Sequence, residues 1–136
     1  MKITSLAVGF LALTSSALFA AESPAVGSAA PNFTLPAASG KTHSLADFKG
    51  KYVVLEWFNP ECPFVKKHYG SGNMQTLQGE FPGKGVVWLS IDSSAPGSEG
   101  NLPAAQAHKV MKEWTTKQTA PLLEPAGRVA KEHGTG

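Results

Sequence analysis

Two dense runs of β-branched and aromatic residues constrain the fold of this chain more than any other feature. The runs are KYVVLEWF at 51–58 and GVVWLSI at 85–91. Strands that are covered on both faces have near-continuous apolar sequences of this kind. The residues between the runs must be helical or looped, and a strand, a crossover and a second strand favour parallel pairing. The sequence therefore predicts an α/β sandwich.

Weaker patterns flank these runs. Residues 32–35 alternate apolar and polar side chains, and residues 41–44 are suited to pair with them across a turn at 37–40. Downstream, Pro103 suits the first turn of a helix. Apolar residues then recur at helical spacing and predict the buried face of that helix: Ala107, Val110, Met111 and Trp114.

The first twenty residues read as an export signal. Residues 1–20 combine Lys2 with an apolar stretch at 3–13 and a small-residue ending. An uncleaved membrane anchor is the alternative, but the segment is short and no stop-transfer charge cluster follows it. The rest divides into a linker at 21–31 and one domain at 32–136. We therefore expect an exported protein, periplasmic or extracellular, with no stable membrane association after signal cleavage.

The composition of the chain argues against a nucleic-acid partner. The chain is 42% hydrophobic and 16% charged, which is typical of one globular domain, and its net charge is +2. A charge so small and evenly spread does not predict nucleic-acid binding. Four histidines lie scattered along the chain without a ligand motif, so we expect no metal and no cofactor: His43, His68, His108 and His133.

Cys62 is the only cysteine. It follows the first apolar run, and Pro63 suits the first position of a helix. The positive end of a helix favours a thiolate, and Lys66, one turn along the same face, is expected to add to the effect. A single thiol in an exported protein points to reactivity or intermolecular pairing. The alternative is a buried, inert cysteine.

The predicted helix after Cys62 is interrupted. Gly70 and Gly72 together cost about 2 kcal/mol of helix propensity. We expect a break there, with Ser71 or Asn73 capping a second helix.

The run VGSAAPNFTLPAASGKTHSLADFKGKYVVLEWF at 26–58, followed by the Cys-Pro helix start, resembles the redoxin branch of the thioredoxin superfamily. That branch includes the alkyl hydroperoxide reductase/thiol-specific antioxidant proteins and exported thioredoxin-like proteins, and the resemblance extends to the end of the chain. It implies a thioredoxin-like sandwich. It also implies a thiol oxidoreductase that takes a peroxide or disulfide substrate and is reduced by an external thiol.

The sequence departs from these families at the reactive centre. Thioredoxin-like reductases use Cys-x-x-Cys, but Val65 occupies the position of the second cysteine. Peroxiredoxins carry Thr or Ser three residues before the reactive cysteine, where this chain has Asn59, whose amide can hydrogen-bond. Peroxiredoxins also use an arginine to stabilise the thiolate. We do not assign that role to Arg128, the only arginine of this sequence. Glu56 matches the position of the buried acid of thioredoxins and is a candidate to exchange protons with the thiol. Alternatively, Glu56 reaches the sheet end and meets water or Lys51.

The last part of the sequence predicts a strand beginning at 122–123 and a short helix at 128–134. A complete thioredoxin-like domain continues through a cis-proline loop and further strands, so we expect the sequence to be truncated before those elements. Two functions remain open. The first is an exported, single-cysteine peroxidase or thiol-disulfide exchange enzyme, and the second is a redox-inactive thioredoxin-like binding module.

Overall fold

The computed structural model describes residues 24–135, so the predicted signal at 1–20 lies outside the described residues. Within residues 24–135, five strands and four α-helices follow one another. In chain order they are β1 (Thr34–Pro36), β2 (Thr42–Ser44), β3 (Val53–Trp57), α1 (Pro63–Gly70), α2 (Asn73–Glu80), β4 (Val87–Asp92), α3 (Ala104–Glu113), β5 (Ala120–Leu123) and α4 (Arg128–Glu132). Short 3-10 turns occupy Leu45–Phe48 and Pro82–Lys84.

The main sheet is parallel and has the order β3-β4-β5. Val53 pairs with Val87 and Leu89 pairs with Ala120. The predicted α/β architecture with parallel strands is therefore confirmed. All six positions of β4 are buried, as expected for a strand covered on both faces. All five positions of β3 are only half-buried, contrary to the same expectation for that strand, because within the described residues β3 has a strand neighbour on one edge only.

The β1–β2 hairpin lies against the edge of β5. Leu35 pairs with His43 in the antiparallel hairpin, which confirms the predicted pairing. Ala37 forms an isolated bridge with Leu122, and the amide of Ala38 donates to the carbonyl of Pro121 at 3.0 Å. The hairpin thereby covers the first of two apolar clusters, whose most buried members are Phe33, Leu89, Ile91, Leu122 and Val129.

A second apolar cluster lies between the sheet, α1 and α3. Phe58 meets Tyr69 edge to face at a centroid distance of 5.4 Å and Trp114 at 5.5 Å. Ala107 and Met111 of α3 are buried in the same cluster, and Val110 and Trp114 pack against it. The predicted apolar face of α3 is therefore confirmed. This cluster holds α1, and with it Cys62, against the sheet.

The break after α1 occurs where predicted, but its capping differs. Neither Ser71 nor Asn73 caps α2; the N-cap is Gly72, which has φ of 75° and makes no side-chain cap bond. Ser71 instead ends α1, and its hydroxyl donates to the carbonyl of His68 at 3.0 Å. A left-handed backbone at the junction favours glycine, so backbone conformation decided the cap rather than side-chain hydrogen bonding.

Candidate active site

Cys62 lies at the junction between β3 and α1. It is the N-cap of α1, with Pro63 at the first helical position as predicted. Its amide donates to the carbonyl of Asn59 at 3.1 Å, and its carbonyl accepts from the amide of Lys66 at 2.9 Å. The thiol is free, half-buried and makes no cap hydrogen bond. The side chain is thus fixed by its backbone at the start of the helix while the sulfur remains available.

The first turn of α1 contributes unpaired donors. Pro63 has no amide hydrogen, and within residues 24–135 the amides of Phe64 and Val65 donate to no acceptor. Such amides give a helix N-terminus its partial positive charge, which favours an anion beside it. Phe64 is 71% exposed, so an apolar ring stands in solvent two residues from the sulfur.

Lys66 is not a lone cation. Its ammonium lies 2.5 Å from a carboxylate oxygen of Glu61, and the two side chains are 50% and 46% exposed. The acidic neighbour of Cys62 is thereby neutralised by the lysine that was expected to act on the thiol. The charge beside Cys62 is a solvent-exposed ion pair, whose net field at the sulfur is weaker than that of either charge alone.

Asn59 ties the β3–α1 loop to the loop that follows β4. Its Oδ1 accepts from the amide of Glu61 at 2.8 Å, and its Nδ2 donates to Ser94 Oγ at 3.4 Å and to the carbonyl of Glu99 at 3.2 Å. Both polar ends of the amide are therefore engaged in holding these two loops together. In this arrangement Asn59 shapes the turn that carries Cys62.

Glu56 lies inside a hydrogen-bond cluster. Its carboxylate accepts from Tyr69 Oη at 2.7 Å, Trp88 Nε1 at 2.7 Å, Ser90 Oγ at 2.8 Å and Gln78 Nε2 at 3.2 Å. Four donors from α1, α2 and β4 thus converge on one side chain of β3. The expected alternative contact with Lys51 is not among the hydrogen bonds or ion pairs of the described residues, and neither is a contact with Cys62.

The two helical members of this cluster have no signal in the sequence. Tyr69 is 4% exposed and Gln78 is 1% exposed. Gln78 Nε2 donates to Tyr69 Oη at 2.7 Å, and its Oε1 accepts from the amide of Lys117 at 2.9 Å. Burial, followed by the neighbouring charge of Glu56, raises the pKa of Tyr69 above its ordinary value of 10.0.

Asp92 is a further residue near the site that the sequence analysis did not identify as a candidate. It is 4% exposed and lies at the end of β4. Its carboxylate accepts from the amides of Ser94 at 2.9 Å and Leu102 at 2.8 Å. Asp92 thereby closes the loop that Asn59 contacts at Ser94 and Glu99.

Two cavities adjoin α1. One of about 200 Å³ is lined by Pro60, Glu61 and Leu102, and one of about 390 Å³ is lined by Tyr69 and Gln75. Lys66 and Trp114 line both. The two cavities thus run side by side from the residues that precede Cys62 along α1. Within residues 24–135, no three His, Cys, Asp or Glu side chains are grouped so that they could hold a metal ion.

The fold and the cysteine at the start of a helix after a parallel strand define a thioredoxin-like α/β protein. The chain belongs to the AhpC/TSA family, whose model matches residues 26–135. It is 37% identical over 98 residues to a protein named peroxiredoxin Q, chloroplastic, from Triticum aestivum. That match covers 65% of this chain and 45% of the relative, so the chain spans less than half of the relative's length.

Solved structures confirm the thioredoxin-like fold. A hypothetical protein from Sinorhizobium meliloti 1021 superposes with a TM-score of 0.71 at 24% identity, over 83% of this chain and 61% of that chain. The pneumococcal exposed lipoprotein thioredoxin from Streptococcus pneumoniae superposes with a TM-score of 0.60 at 25% identity, over 78% of this chain and 75% of that chain. None of the helices between residues 24 and 135 has the length and apolarity to span a membrane.

Proposed function

We propose that this protein is a thiol-dependent oxidoreductase in which Cys62 is the nucleophile. The observation that carries the proposal is the free, half-buried Cys62 at the N-cap of α1. Unpaired amides in the first turn of a helix stabilise a thiolate, which is the reacting form of cysteine. The match to the AhpC/TSA family supports the same chemistry.

With a peroxide, the thiolate attacks one peroxide oxygen. The S–O bond forms as the O–O bond breaks, and the leaving hydroxide or alkoxide takes a proton. An external thiol then attacks the sulfenic acid and releases water, and a second external thiol breaks the mixed disulfide and restores Cys62. The reductant in this proposal is an external thiol. The similarity to peroxiredoxin Q favours the peroxide as substrate.

A disulfide is the second candidate substrate. Asn59 Nδ2 donates to Ser94 Oγ and to the carbonyl of Glu99, so both amide hydrogens are engaged and Asn59 has no free donor to orient a peroxide. In this case the Cys62 thiolate attacks one sulfur of the disulfide, and a mixed disulfide forms as the other sulfur leaves as a thiolate. In either reaction Glu56 positions α1 through its hydrogen bond with Tyr69, and Lys66 contributes to the charge beside the sulfur.

Both candidate substrates are tested on the protein that begins at Ala21. It is treated with one equivalent of hydrogen peroxide followed by dimedone, or with oxidised glutathione, and analysed by mass spectrometry. A dimedone adduct on Cys62 supports the peroxidase, and a glutathione adduct supports disulfide exchange. The adduct is expected to form about tenfold or more faster than on the free amino acid cysteine at neutral pH. Rates no faster than free cysteine with both reagents would favour the redox-inactive binding module instead.

We also propose that the protein is exported. The sequence of residues 1–20 and the likeness to an exposed lipoprotein thioredoxin support export. Expression of the whole chain in a Gram-negative bacterium, followed by fractionation and intact mass measurement, tests it. A periplasmic product that begins at Ala21, with a linker at 21–31 and the domain at 32–136, is expected. A cytoplasmic product that retains Met1 would contradict the proposal.

A further inference from the structure

A groove separates the β1–β2 hairpin from α3, and we propose that it binds a small organic anion that also carries a hydroxyl group. We call it the hairpin groove. It has a volume of about 490 Å³, which is within the range of small-molecule sites. The residues on which the proposal depends are Lys41, His43, His108, Lys112 and Gln118.

The charge of the hairpin groove has one sign. Lys41 and Lys112 line it together with two imidazoles, and no carboxylate is among its lining residues. Within residues 24–135, neither lysine takes part in an ion pair, whereas Lys66, Lys84 and Lys109 each pair with a glutamate. Two cations that face one concave space without a counter-charge raise the local concentration of anions.

The nearest acidic residues along the chain do not compensate these cations. Asp47 accepts a hydrogen bond from the amide of Ser44 at 2.8 Å. Glu113 lies 3.8 Å from the ammonium of Lys109. Neither residue lines the hairpin groove. A ligand with two or more carboxylates or a phosphate would supply the missing negative charge.

Gln118 supplies an independent observation. Its Oε1 is buried and has no hydrogen-bond partner within the described residues. Neither neighbouring hydroxyl bonds to it in the described residues: Thr116 Oγ1 donates to the carbonyl of Met111 at 3.1 Å, and Thr119 Oγ1, which accepts from the amide of Trp88 at 3.0 Å, makes no hydrogen bond with Gln118. A buried acceptor without a donor is unfavourable. A hydroxyl on the ligand would satisfy it.

The hairpin groove is separate from the thiol. Its lining comes from the hairpin, α3, the α3–β5 loop and the start of β5, and it includes no residue of α1 or of the loop that carries Cys62. β5 and β3 form opposite edges of the three-stranded sheet. Binding in the groove is therefore expected to be unchanged in Cys62→Ser, so that this inference and the proposed function fail or succeed independently.

Citrate and tricarballylate are the probes, because they share three carboxylates and only citrate carries a hydroxyl. Binding is measured by calorimetry and amide chemical shifts at low ionic strength. We expect citrate to bind about three- to tenfold more tightly than tricarballylate, because its hydroxyl can form one additional hydrogen bond. Gln118→Leu should abolish that preference. The double variant Lys41→Gln/Lys112→Gln should weaken both ligands about tenfold or more.

The matched control is Lys49→Gln/Lys131→Gln, which removes the same charge from exposed positions outside the hairpin groove. It should leave both affinities within about twofold. Three results would overturn the inference: no binding of either probe at millimolar concentration, equal affinity of the two probes, or equal loss of affinity in the control and groove double variants.

Discussion

The hydroxyl of Tyr69 donates a 2.7 Å hydrogen bond to Glu56, and this contact joins the helix that begins at Cys62 to the strand that precedes it. Gln78 of α2 donates to both members of the pair. The only acidic residue of β3 thus serves as the attachment point of two helices. Its placement makes Glu56 a positioning residue for the helix whose N-terminus holds the thiol.

Replacement of Glu56 by Gln is expected to destabilise the fold. The carboxylate accepts four hydrogen bonds, and an amide in its place would turn a donor toward Trp88 Nε1 or Tyr69 Oη. Because hydrogen bonds to charged groups contribute about 1.5–3 kcal/mol each, the free energy of unfolding should fall by about 2–4 kcal/mol. Urea denaturation followed by tryptophan fluorescence measures it. Glu99→Gln, at an exposed loop position, is the control and should change the free energy by less than about 0.5 kcal/mol.

Alkaline pH is expected to destabilise the protein through Tyr69. Burial and the charge of Glu56 raise the pKa of Tyr69 above 10.0. Below pH 10 the phenol is protonated in both states, and its contribution to stability is complete. Above pH 10 the unfolded state loses the proton while the folded state keeps it. This difference should lower the free energy of unfolding by about 1.4 kcal/mol per pH unit.

Urea denaturation between about pH 8 and 11 in Tyr69→Phe and Tyr52→Phe separates this effect from other titrations. The chain has two tyrosines, and Tyr52 is 84% exposed. The alkaline slope should become shallower in Tyr69→Phe and stay unchanged in Tyr52→Phe. Identical slopes in the two variants would show that Tyr69 ionises equally in the folded and unfolded states.

Gly100→Ala is expected to disturb the loop that Asn59 holds. Gly100 has φ of +86°, and a Cβ there would overlap the side chain of Asn59. The substitution should cost about 2–4 kcal/mol, the sum of left-handed strain and the displacement of Asn59. Gly97→Ala isolates the first part, because Gly97 has φ of +79° and no atom lies within 4 Å of the position that a Cβ would take. A cost of about 1 kcal/mol is expected there.

Thermal denaturation of both variants, together with Asn59→Ala and the double variant Asn59→Ala/Gly100→Ala, measures these costs. Removal of the Asn59 side chain relieves the overlap, so the double variant should be less destabilised than the sum of Gly100→Ala and Asn59→Ala. Strict additivity would mean that the two side-chain positions do not interact.

The ion pair between Lys66 and Glu61 is expected to tune the reactivity of Cys62 with little effect on stability. Both side chains are about half exposed, so the pair contributes at most about 1 kcal/mol. Glu61→Gln removes a negative charge beside the sulfur and frees Lys66, and it should speed alkylation of Cys62 by iodoacetamide a few fold. Lys66→Gln should slow it by a similar factor. Lys67→Gln, an exposed neighbour, is the control.

The measurement is the alkylation rate at neutral pH and low salt, and the differences should shrink in high salt because exposed charges are screened. A slower rate in Glu61→Gln than in the unmodified protein would contradict the prediction.

The sequence by itself determined the elements and the location of the thiol. Apolar runs predicted β3 and β4, Pro63 predicted the start of α1, and the spacing of Ala107 and Met111 predicted the buried face of α3. These features depend on residues within a few positions of one another, so the sequence alone is sufficient to predict them.

Only the tertiary structure decided which polar groups meet. Glu56, Gln78 and Trp88 are far apart along the chain, and their hydrogen bonds exist because α2 and β4 pack beside β3. The half-buried state of β3 likewise follows from its single strand neighbour within the described residues. Contacts of this kind depend on the approach of separate elements, for which one sequence carries no periodic signal.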